Sequence, residues 1–538
     1  MRNIAQAPRA TRREWIGLAV IALPCLLYSM DLTVLNLAVP SLSADLAPSS
    51  AQLLWIVDIY GFLVAGALIT MGTLGDRIGR RRLLLIGAGA FGLASVLAAF
   101  SKSAEMLIAA RALLGVAGAT LAPSTLSLIR NMFHDAKQRT VAIGVWISSY
   151  SVGAAIGPLV GGLLLEHFWW GSVFLVSVPV MAFLLALGPV LLPEYRDPEA
   201  GRLDLISAVL SLAGVLAVIY GLKRIAADGL EWLPALSIAA GLAAGGEFVR
   251  RQRRLADPLI DLRLFRAPAF STALVTYMLA TFVAFGSYVF VAQYLQLVAG
   301  LSPLQAGLWT LPWSGGFIAG SQLTPVLVRR IPRTHVMAAG LLLAALGFGM
   351  LTQVDPSSGL MVLVTASTVF SLGLAPVFTL STDIIIGAAP PQRAGAASAI
   401  SETSSELGGA LGIAILGSIG TAVYRGELAH DIPAAVPPEA AHAARDTLGG
   451  ALVAAGQLPD ELGAELLGTA RAAFARSLGL TAAICAAVAL ATAVAVLAVL
   501  RRARGLRNGS APPARNAAAR EGVSLPGAGS REPIPGRE

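Results

Sequence analysis

SVGAAIGPLVGGLLL, residues 151–165, is the stretch that decides how this chain is expected to fold. Three of its four glycines recur at every fourth position and so share one face of a helix: Gly153, Gly157, Gly161 and, directly after them, Gly162. Small residues on one face let two helices approach closely, which is how helices pack in lipid. Pro158 removes a backbone N–H and bends the helix there. Two interpretations are open at this point: a static packing seam, or a surface that takes part in a mechanism.

The composition is that of a polytopic membrane protein. Of the 538 residues, 56% are hydrophobic and 13% are charged, with a mean hydropathy of +0.73, whereas soluble domains carry roughly 25% charged residues. The two cysteines, Cys25 and Cys485, lie in separate apolar runs, which argues against a disulfide framework or a zinc site. The histidines fall at span ends or in loops, so no metal site and no cofactor are predicted.

Apolar runs of about 20 residues, the length that crosses a bilayer, number fourteen. They lie near 15–39, 51–72, 83–100, 105–128, 140–164, 171–192, 204–222, 232–249, 270–298, 304–328, 335–353, 359–382, 394–423 and 478–500. We therefore expect an all-α polytopic membrane protein with fourteen transmembrane helices.

The arginines predict the orientation of these spans. With residues 1–14 inside, most of the 39 lysines and arginines fall in cytoplasmic segments, as the positive-inside rule requires. Both termini are then cytoplasmic, and the net charge of +8 needs no nucleic-acid partner. The tail 501–538 is predicted to be disordered, and 424–476 forms a long outer loop. The basic inner loop 250–266 either acts only as a signal for the orientation of the spans or binds anionic lipid headgroups.

The glycine stretch has a counterpart near the end of the chain. QRTVAIGVWISSYSVGAAIGPLVGG (138–162) and QRAGAASAISETSSELGGALGIAILG (392–417) begin alike and, with one residue added, align their glycines. Span five therefore corresponds to span thirteen. The chain divides into two halves, 15–192 and 270–500, with two inserted helices in 193–269. Paired halves around a midplane site are the usual build of a secondary transporter. Of the two interpretations of the glycine stretch, this favours a surface on which the two halves slide, rather than a static packing seam.

The loop GTLGDRIGRRR, residues 72–82, joins spans two and three. Its glycines permit a tight turn, Asp76 can accept hydrogen bonds from helix-end amides, and its arginines face the cytoplasm; the residues concerned are Gly72, Gly75, Asp76, Arg77, Gly79, Arg80 and Arg81. This loop resembles the inner-loop signature of the major facilitator superfamily. Three further motifs resemble those of its fourteen-span drug:proton antiporter family: MDLTVLNLAVP (30–40), LIAARALLGVAGA (107–119) and the antiporter motif at 151–165.

The resemblance covers nearly all of residues 15–500. It implies a major-facilitator-type fold, with two six-helix halves plus two inserted helices, and the exchange of drugs for protons. It also implies a gating role for the loop 72–82. Two features depart from the family. Span ten lacks the acid that the pumps of dicationic drugs carry, and RRIPRTH (329–335) keeps only the basic residues of the loop 72–82.

Ionisable residues inside a span are costly and are therefore candidates for function. Asp31 in span one, Asp58 in span two and Arg111 in span four fall in one outer-half layer, where each can neighbour the others. An aspartate beside an arginine can stay charged or take up a proton when the geometry changes. The alternative for these residues is a structural ion pair, and Arg111 is equally well explained as a tether for Asp31.

Glu402 and Glu406 lie four residues apart near the middle of span thirteen, hence on one helix face. Such a pair can bind protons and attract a cation; the alternative is burial against a partner that the sequence does not reveal.

Three functions are open from the sequence. The preferred one is a proton-driven exporter of lipophilic cationic or aromatic compounds in the inner membrane, working as a monomer with protons, small molecules and lipid as its partners. The second is a dedicated exporter of one endogenous metabolite or antibiotic. The third, a membrane-embedded sensor or enzyme, is disfavoured because no catalytic constellation appears.

Overall fold

The computed structural model describes residues 9–48, 50–196, 204–228, 231–255, 258–356, 359–390 and 393–509, and these residues contain helices but no strand. The helices are α1 (Arg12–Leu46), α2 (Ser50–Ile78), α3 (Arg80–Ala99), α4 (Ala104–Gly118), α5 (Leu121–Met132), α6 (Ala136–His167), α7 (Ser172–Leu175), α8 (Ser177–Leu191), α9 (Leu205–Asp228), α10 (Trp232–Gln252), α11 (Pro268–Gln293), α12 (Pro303–Trp309), α13 (Leu311–Leu327), α14 (Arg333–Leu351), α15 (Gly359–Ala388), α16 (Ala394–Asp431), α17 (Pro438–Asp446), α18 (Leu448–Ala455) and α19 (Asp460–Gly509).

The predicted all-α membrane fold is confirmed, but the count of fourteen spans is not. Within the described ranges, thirteen segments are long and apolar enough to cross a membrane. Predicted span ten is absent from them because it is broken at Thr310 into α12, of 7 residues, and α13, of 17 residues. Pro312, which has no backbone N–H to donate, directly follows the break. The fourteenth span stays a prediction.

Both ends of the last helix differ from the sequence-based boundaries. α19 begins at Asp460, inside the predicted outer loop 424–476, and that loop also contains α17 and α18. At its other end α19 continues to Gly509, so it enters the tail that is predicted to be disordered. Residues 1–8 and 510–538 lie outside the described residues.

The glycine face of α6 packs on α1. A Cβ at Gly153 would collide with the backbone of Leu26, and one at Gly161 would press on Val34. Eight residues separate both members of these pairs, so α1 and α6 run parallel in constant register. Gly157 is buried in the same helix. These glycines allow a close helix–helix approach that any larger residue would prevent.

The second half repeats this packing between α11 and α16. A Cβ at Gly408 would collide with Met278, and one at Gly412 with the backbone of Phe282. The internal repeat is thus a repeat of structure. It also corrects one prediction: the glycine faces lie inside each half, against the half's own first span, and are not the surface between the halves. The sequence shows which residues are small but not which helix they meet.

The inserted helices lie over the line where the halves meet. α9 packs on α2 from the first half and on α16 from the second. It approaches α2 closely at Gly66, where a Cβ would collide with Leu212. Phe62, Ala65 and Ile219 form a small apolar cluster there, with Ala410 of α16 packed against it.

Candidate functional site

Residues 72–82, which the sequence places in a loop, are helical except at Gly79, because α2 runs to Ile78 and α3 begins at Arg80. We keep the name loop 72–82 for this segment; it holds the first turn of α16 at what we call the arginine-rich end of the bundle, the end that carries this segment and Arg139. Asp76 accepts a hydrogen bond from the backbone N–H of Ala396 at 3.2 Å, across the two halves. A carboxylate is favourable at this position because helix N-termini carry partial positive charge. Asp76 also pairs with Arg80, whose guanidinium is fully buried.

Two positions at this contact, 72 and 395, are packed so closely that only glycine fits. Arg80 donates from Nη1 to the carbonyl of Gly72 at 2.8 Å, and its guanidinium covers Gly395, where any Cβ would collide with it. A Cβ at Gly72 would in turn collide with α16 at Gly395 and Ala399. The predicted role of Asp76 as an acceptor of helix-end amides is therefore present in the structure, and its partner helix belongs to the other half.

The remaining residues of this loop shape the turn into α3. Gly79 has a φ of 112°, which L-residues with a side chain rarely adopt. Gly75 leaves room for Arg80 and Leu83, and Arg77 is half-buried. The backbone amides of Arg81 and Arg82 donate to the carboxylate of Glu194, at 3.1 and 3.2 Å. Sequence reasoning missed Glu194, which lies more than a hundred residues away.

A second contact between the halves at the same end centres on Asp383, which is fully buried at the end of α15. Its Oδ1 accepts from Nε of Arg139 at 2.7 Å, and its Oδ2 accepts from the hydroxyl of Thr140 at 3.0 Å. Arg333 lies 3.1 Å from Oδ2. Asp383 directly follows predicted span twelve (359–382), and the structure places it between the halves. Its partner Arg139 belongs to the repeated Gln-Arg pair. That repeat is the feature of the sequence that could have pointed to this contact.

A third contact closes the same end further into the membrane. The hydroxyls of Ser148 in α6 and Ser321 in α13 lie 2.6 Å apart, and Gln322 donates to Ser148 at 3.0 Å. Gly144 lets α6 approach the backbone of Ser321. With these three contacts, the halves are closed against each other at the arginine-rich end.

Asp31 and Arg111 form a buried ion pair in the first half. Arg111 donates from Nη1 to Oδ2 of Asp31 at 2.6 Å and from Nε to the carbonyl of Ile56 at 3.2 Å. Its guanidinium lies 4.6 Å from the ring centroid of Tyr60, a cation–π contact. The sequence-based prediction that Asp31 and Arg111 are neighbours is confirmed. Asp58 is half-buried in α2.

A small cavity adjoins Asp31 on the side facing α3 and α8. Its volume is about 10 Å³, and Phe91, Phe174 and Ser177 line it together with Asp31. Most of its lining is apolar, with Asp31 and Ser177 as its polar lining residues, and its volume is at the lower limit for about one water molecule. Asp31 thus lies between its pair with Arg111 and this small cavity.

Glu406 joins the two halves near the middle of α16. It accepts a hydrogen bond from the hydroxyl of Tyr28, on α1, at 3.1 Å. Twelve residues separate Glu406 from the start of α16, roughly 18 Å at 1.5 Å per residue, which puts it near mid-membrane. One turn earlier, the Oε1 atom of Glu402 is buried and has no hydrogen-bond partner in the described residues.

Aromatic side chains connect the two charged groups. The ring of Tyr28 lies 5.8 Å from that of Tyr60 and 5.9 Å from that of Tyr150, which in turn packs on Trp146 at 4.9 Å. Tyr60 contacts Arg111, and Tyr28 contacts Glu406. Sequence reasoning missed this cluster because its members lie on α1, α2 and α6, and aromatic residues in spans are more often packing residues. Together the groups place two ionisable sites, Asp31 with Arg111 and Glu406, at either end of one aromatic cluster.

The fold and this site define a membrane transporter rather than an enzyme, and sequence comparison gives the family. The Major Facilitator Superfamily model matches residues 21–413, and the chain belongs to that superfamily. It is 46% identical over 503 residues to the multidrug efflux pump LfrA of Mycolicibacterium smegmatis, covering 93% of this chain and 99% of LfrA.

Two further likenesses agree with this assignment. The chain is 32% identical over 493 residues to the tetracenomycin C resistance and export protein of Streptomyces glaucescens, covering 90% of this chain and 91% of that protein. Among solved structures it resembles the human organic anion transporter MFSD10, with a TM-score of 0.56 and 16% identity over 88% of this chain and 99% of that chain. The structural likeness supports the fold alone.

Proposed function

We propose that the protein is a proton-coupled exporter of lipophilic cationic or aromatic compounds, working as a monomer by alternating access. The observation that carries this proposal is the connected set of groups that runs from the Asp31–Arg111 pair through Tyr60 and Tyr28 to Glu406 in the other half. The multidrug efflux pump LfrA supports it through its similarity to this chain.

Protons and substrate compete for the carboxylates in this mechanism. When Asp31 takes up a proton on Oδ2, its attraction to Arg111 is lost and the guanidinium is free to move against Tyr60. When Glu406 takes up a proton, its hydrogen bond from Tyr28 weakens and one link between the halves loosens. A cationic aromatic substrate replaces the proton at the glutamates because it supplies positive charge and can stack on the half-buried rings of Tyr28 or Tyr150.

The arginine-rich end is the cytoplasmic end in this proposal, and both chain termini lie in the cytoplasm of a cell whose inner membrane holds the protein. The contacts of Asp76, Asp383 and Ser148 then close the cytoplasmic side, so this structure corresponds to the state that releases substrate outward. No cofactor takes part, because the proton gradient drives transport.

Everted membrane vesicles test the proposal. We expect addition of ethidium, a fluorescent lipophilic monocation, to dissipate an imposed pH gradient in vesicles with the wild-type protein. Asp31→Asn should lose this response. Asp45→Asn is the matched control, since Asp45 is an exposed acid on the same helix that accepts a hydrogen bond from Trp170. The proposal fails if ethidium leaves the gradient unchanged or if Asp31→Asn transports normally.

A dedicated exporter of one endogenous antibiotic is the second candidate, and the similarity to the tetracenomycin C resistance and export protein favours it. A panel of unrelated toxic compounds on a pump-deficient host separates the two. Protection against several chemical classes supports a multidrug exporter, whereas protection against a single class supports a dedicated one.

A further inference from the structure

A groove with a volume of about 750 Å³ opens beside the inserted helices, and Asp31, Glu402 and Glu406 are not among the residues that line it. Its walls come from four helices, with Ile69 on α2, Gly214 on α9, Gly241 on α10 and Leu407 on α16. Since α2 belongs to the first half and α16 to the second, the groove lies on the line between the halves.

The groove is apolar, and protein does not fill it. An added Cβ at Gly245 or Gly246, which line it, would meet no described atom within 4 Å. Nine residues separate Gly241 from Arg250 along α10, roughly 14 Å at 1.5 Å per residue. That length is close to half of the roughly 30 Å hydrocarbon core of a bilayer. The groove therefore matches the acyl chains of one leaflet.

The end of the groove nearest the arginine-rich end is cationic, because Arg250 and Arg253 line it. Arg251, between them, is already committed to Asp204: its guanidinium donates to both carboxylate oxygens, at 2.6 and 3.0 Å, and holds the pKa of Asp204 below its usual range. Within the described ranges, the acidic contact of Arg250 is an exposed one with Glu247 at 3.3 Å, and exposed pairs of this kind contribute little. Among the described residues Arg253 has no acidic partner.

Two hydroxyls on the groove wall also lack partners. Ser211 is 4% exposed, and neither its Oγ nor the Oγ1 of Thr403 has a hydrogen-bond partner in the described part of the chain. Buried hydroxyls are normally hydrogen-bonded. An ester oxygen of a lipid in the groove is an acceptor of the kind that these hydroxyls lack.

We infer that this groove binds an anionic phospholipid from the leaflet at the arginine-rich end. An acyl chain lies between α10 and α16, and the phosphate lies between Arg250 and Arg253. The charge at the rim decides against a cationic drug, which both arginines would repel. The inference stands independently of the transported substrate.

Native mass spectrometry of the full-length protein, delipidated in detergent, tests the inference. We expect dioleoylphosphatidylglycerol to bind roughly tenfold more tightly than dioleoylphosphatidylcholine, because each arginine near an anionic headgroup contributes roughly fivefold and Glu247 offsets part of that. The double variant Arg250→Gln/Arg253→Gln should remove the preference. Gly246→Leu, which fills the groove without a backbone clash, should weaken binding of both lipids.

Two control variants should behave as wild type. Arg266→Gln removes an exposed arginine from the same connecting segment, and Gly89→Leu adds the same side chain at another open glycine, on α3. Equal binding of the two lipids, or unchanged binding in the double variant, overturns the inference. Equally tight binding of glycerol phosphate overturns it in favour of a soluble phosphate. Loss of ethidium binding in Gly246→Leu with lipid binding intact overturns it in favour of a drug route.

Discussion

The first half of the molecule, α1–α8, and the second half, α11–α16 with α19, pack their first and fifth spans alike but carry ionisable groups on different helices. When Gly153 is placed on Gly408 and Leu26 on Met278, Asp31 corresponds to Val283. In the same alignment Glu406 corresponds to Ser151 and Glu402 to Ile147. The first half thus carries its acid on the first span, and the second half carries its acids on the fifth.

The glycine packing between the first and fifth spans is therefore present in both halves, whereas the positions of the ionisable groups differ between them. Helix packing depends on small residues at a fixed spacing, so both copies need their glycines. A buried charge is costly wherever it stands, so each half carries its acids on only one of these two spans, and Tyr28 joins α1 to Glu406.

Replacing Asp31 by valine, the residue of the second half, should have the largest effect. Asp31→Val leaves the fully buried Arg111 with the carbonyl of Ile56 and the ring of Tyr60 but without its carboxylate, and breaking a buried pair costs about 3–5 kcal/mol. Thermal unfolding of the purified protein in detergent measures this loss.

The double variant Asp31→Val/Arg111→Leu is its control. Removing both charges should restore most of the stability, because the stranded charge is gone, but not proton exchange in vesicles. If the double variant still exchanges protons, the pair is a structural ion pair only.

Alanine at the packed glycines should destabilise both halves to a similar extent. Gly153→Ala and Gly408→Ala each force a methyl group into a neighbouring backbone, and overpacking of this kind costs about 1–3 kcal/mol. Gly162→Ala and Gly417→Ala are matched controls, since an added Cβ meets nothing within 4 Å at either position. Unequal losses at Gly153 and Gly408 would contradict the equivalence of the two packings.

The two carboxylates at the arginine-rich end should each favour the closed state. With Ser148→Cys as a reporter at the third contact, Asp76→Asn or Asp383→Asn should raise labelling by a membrane-impermeant maleimide on the order of tenfold, the equivalent of one charge-assisted hydrogen bond. Cys25 and Cys485 are buried and give little background. Glu247→Gln, an exposed acid near the same end, should leave labelling unchanged. If labelling rises equally in Glu247→Gln, general loosening explains the effect.

Tyr28→Phe should have the smallest effect, because it removes a single hydrogen bond between the halves. We expect the rate of ethidium efflux to fall roughly two- to tenfold, as one hydrogen bond contributes about 0.5–1.5 kcal/mol. Tyr220→Phe, on α9 beside the Phe62 cluster, provides the comparison. An unchanged rate in Tyr28→Phe would mean that the link from Tyr28 to Glu406 does not contribute to proton-coupled transport.

Sequence reasoning reached the acids of the site but not all of the groups around them. Asp31, Arg111 and Glu406 stand out because a charge inside an apolar run is rare. The residues that connect them do not stand out: Tyr28 and Tyr60 resemble ordinary packing residues. Asp383 falls at the end of a span and looks like an interfacial acid, although it pairs with Arg139 more than two hundred positions away.

The sequence by itself determined the membrane-spanning helices, the division into two related halves and the residues that lie in the membrane at high cost. Each of these follows from local pattern: run length, glycine spacing and the rarity of charge in lipid. Only the tertiary structure decided that the glycine stretch at 151–165 faces α1 inside its own half, that Asp76 and Asp383 each hold the other half's helix, and that Tyr28 joins α1 to Glu406. Those contacts depend on how distant helices are arranged around each other, and spacing along one helix carries no information on which partner its face will meet.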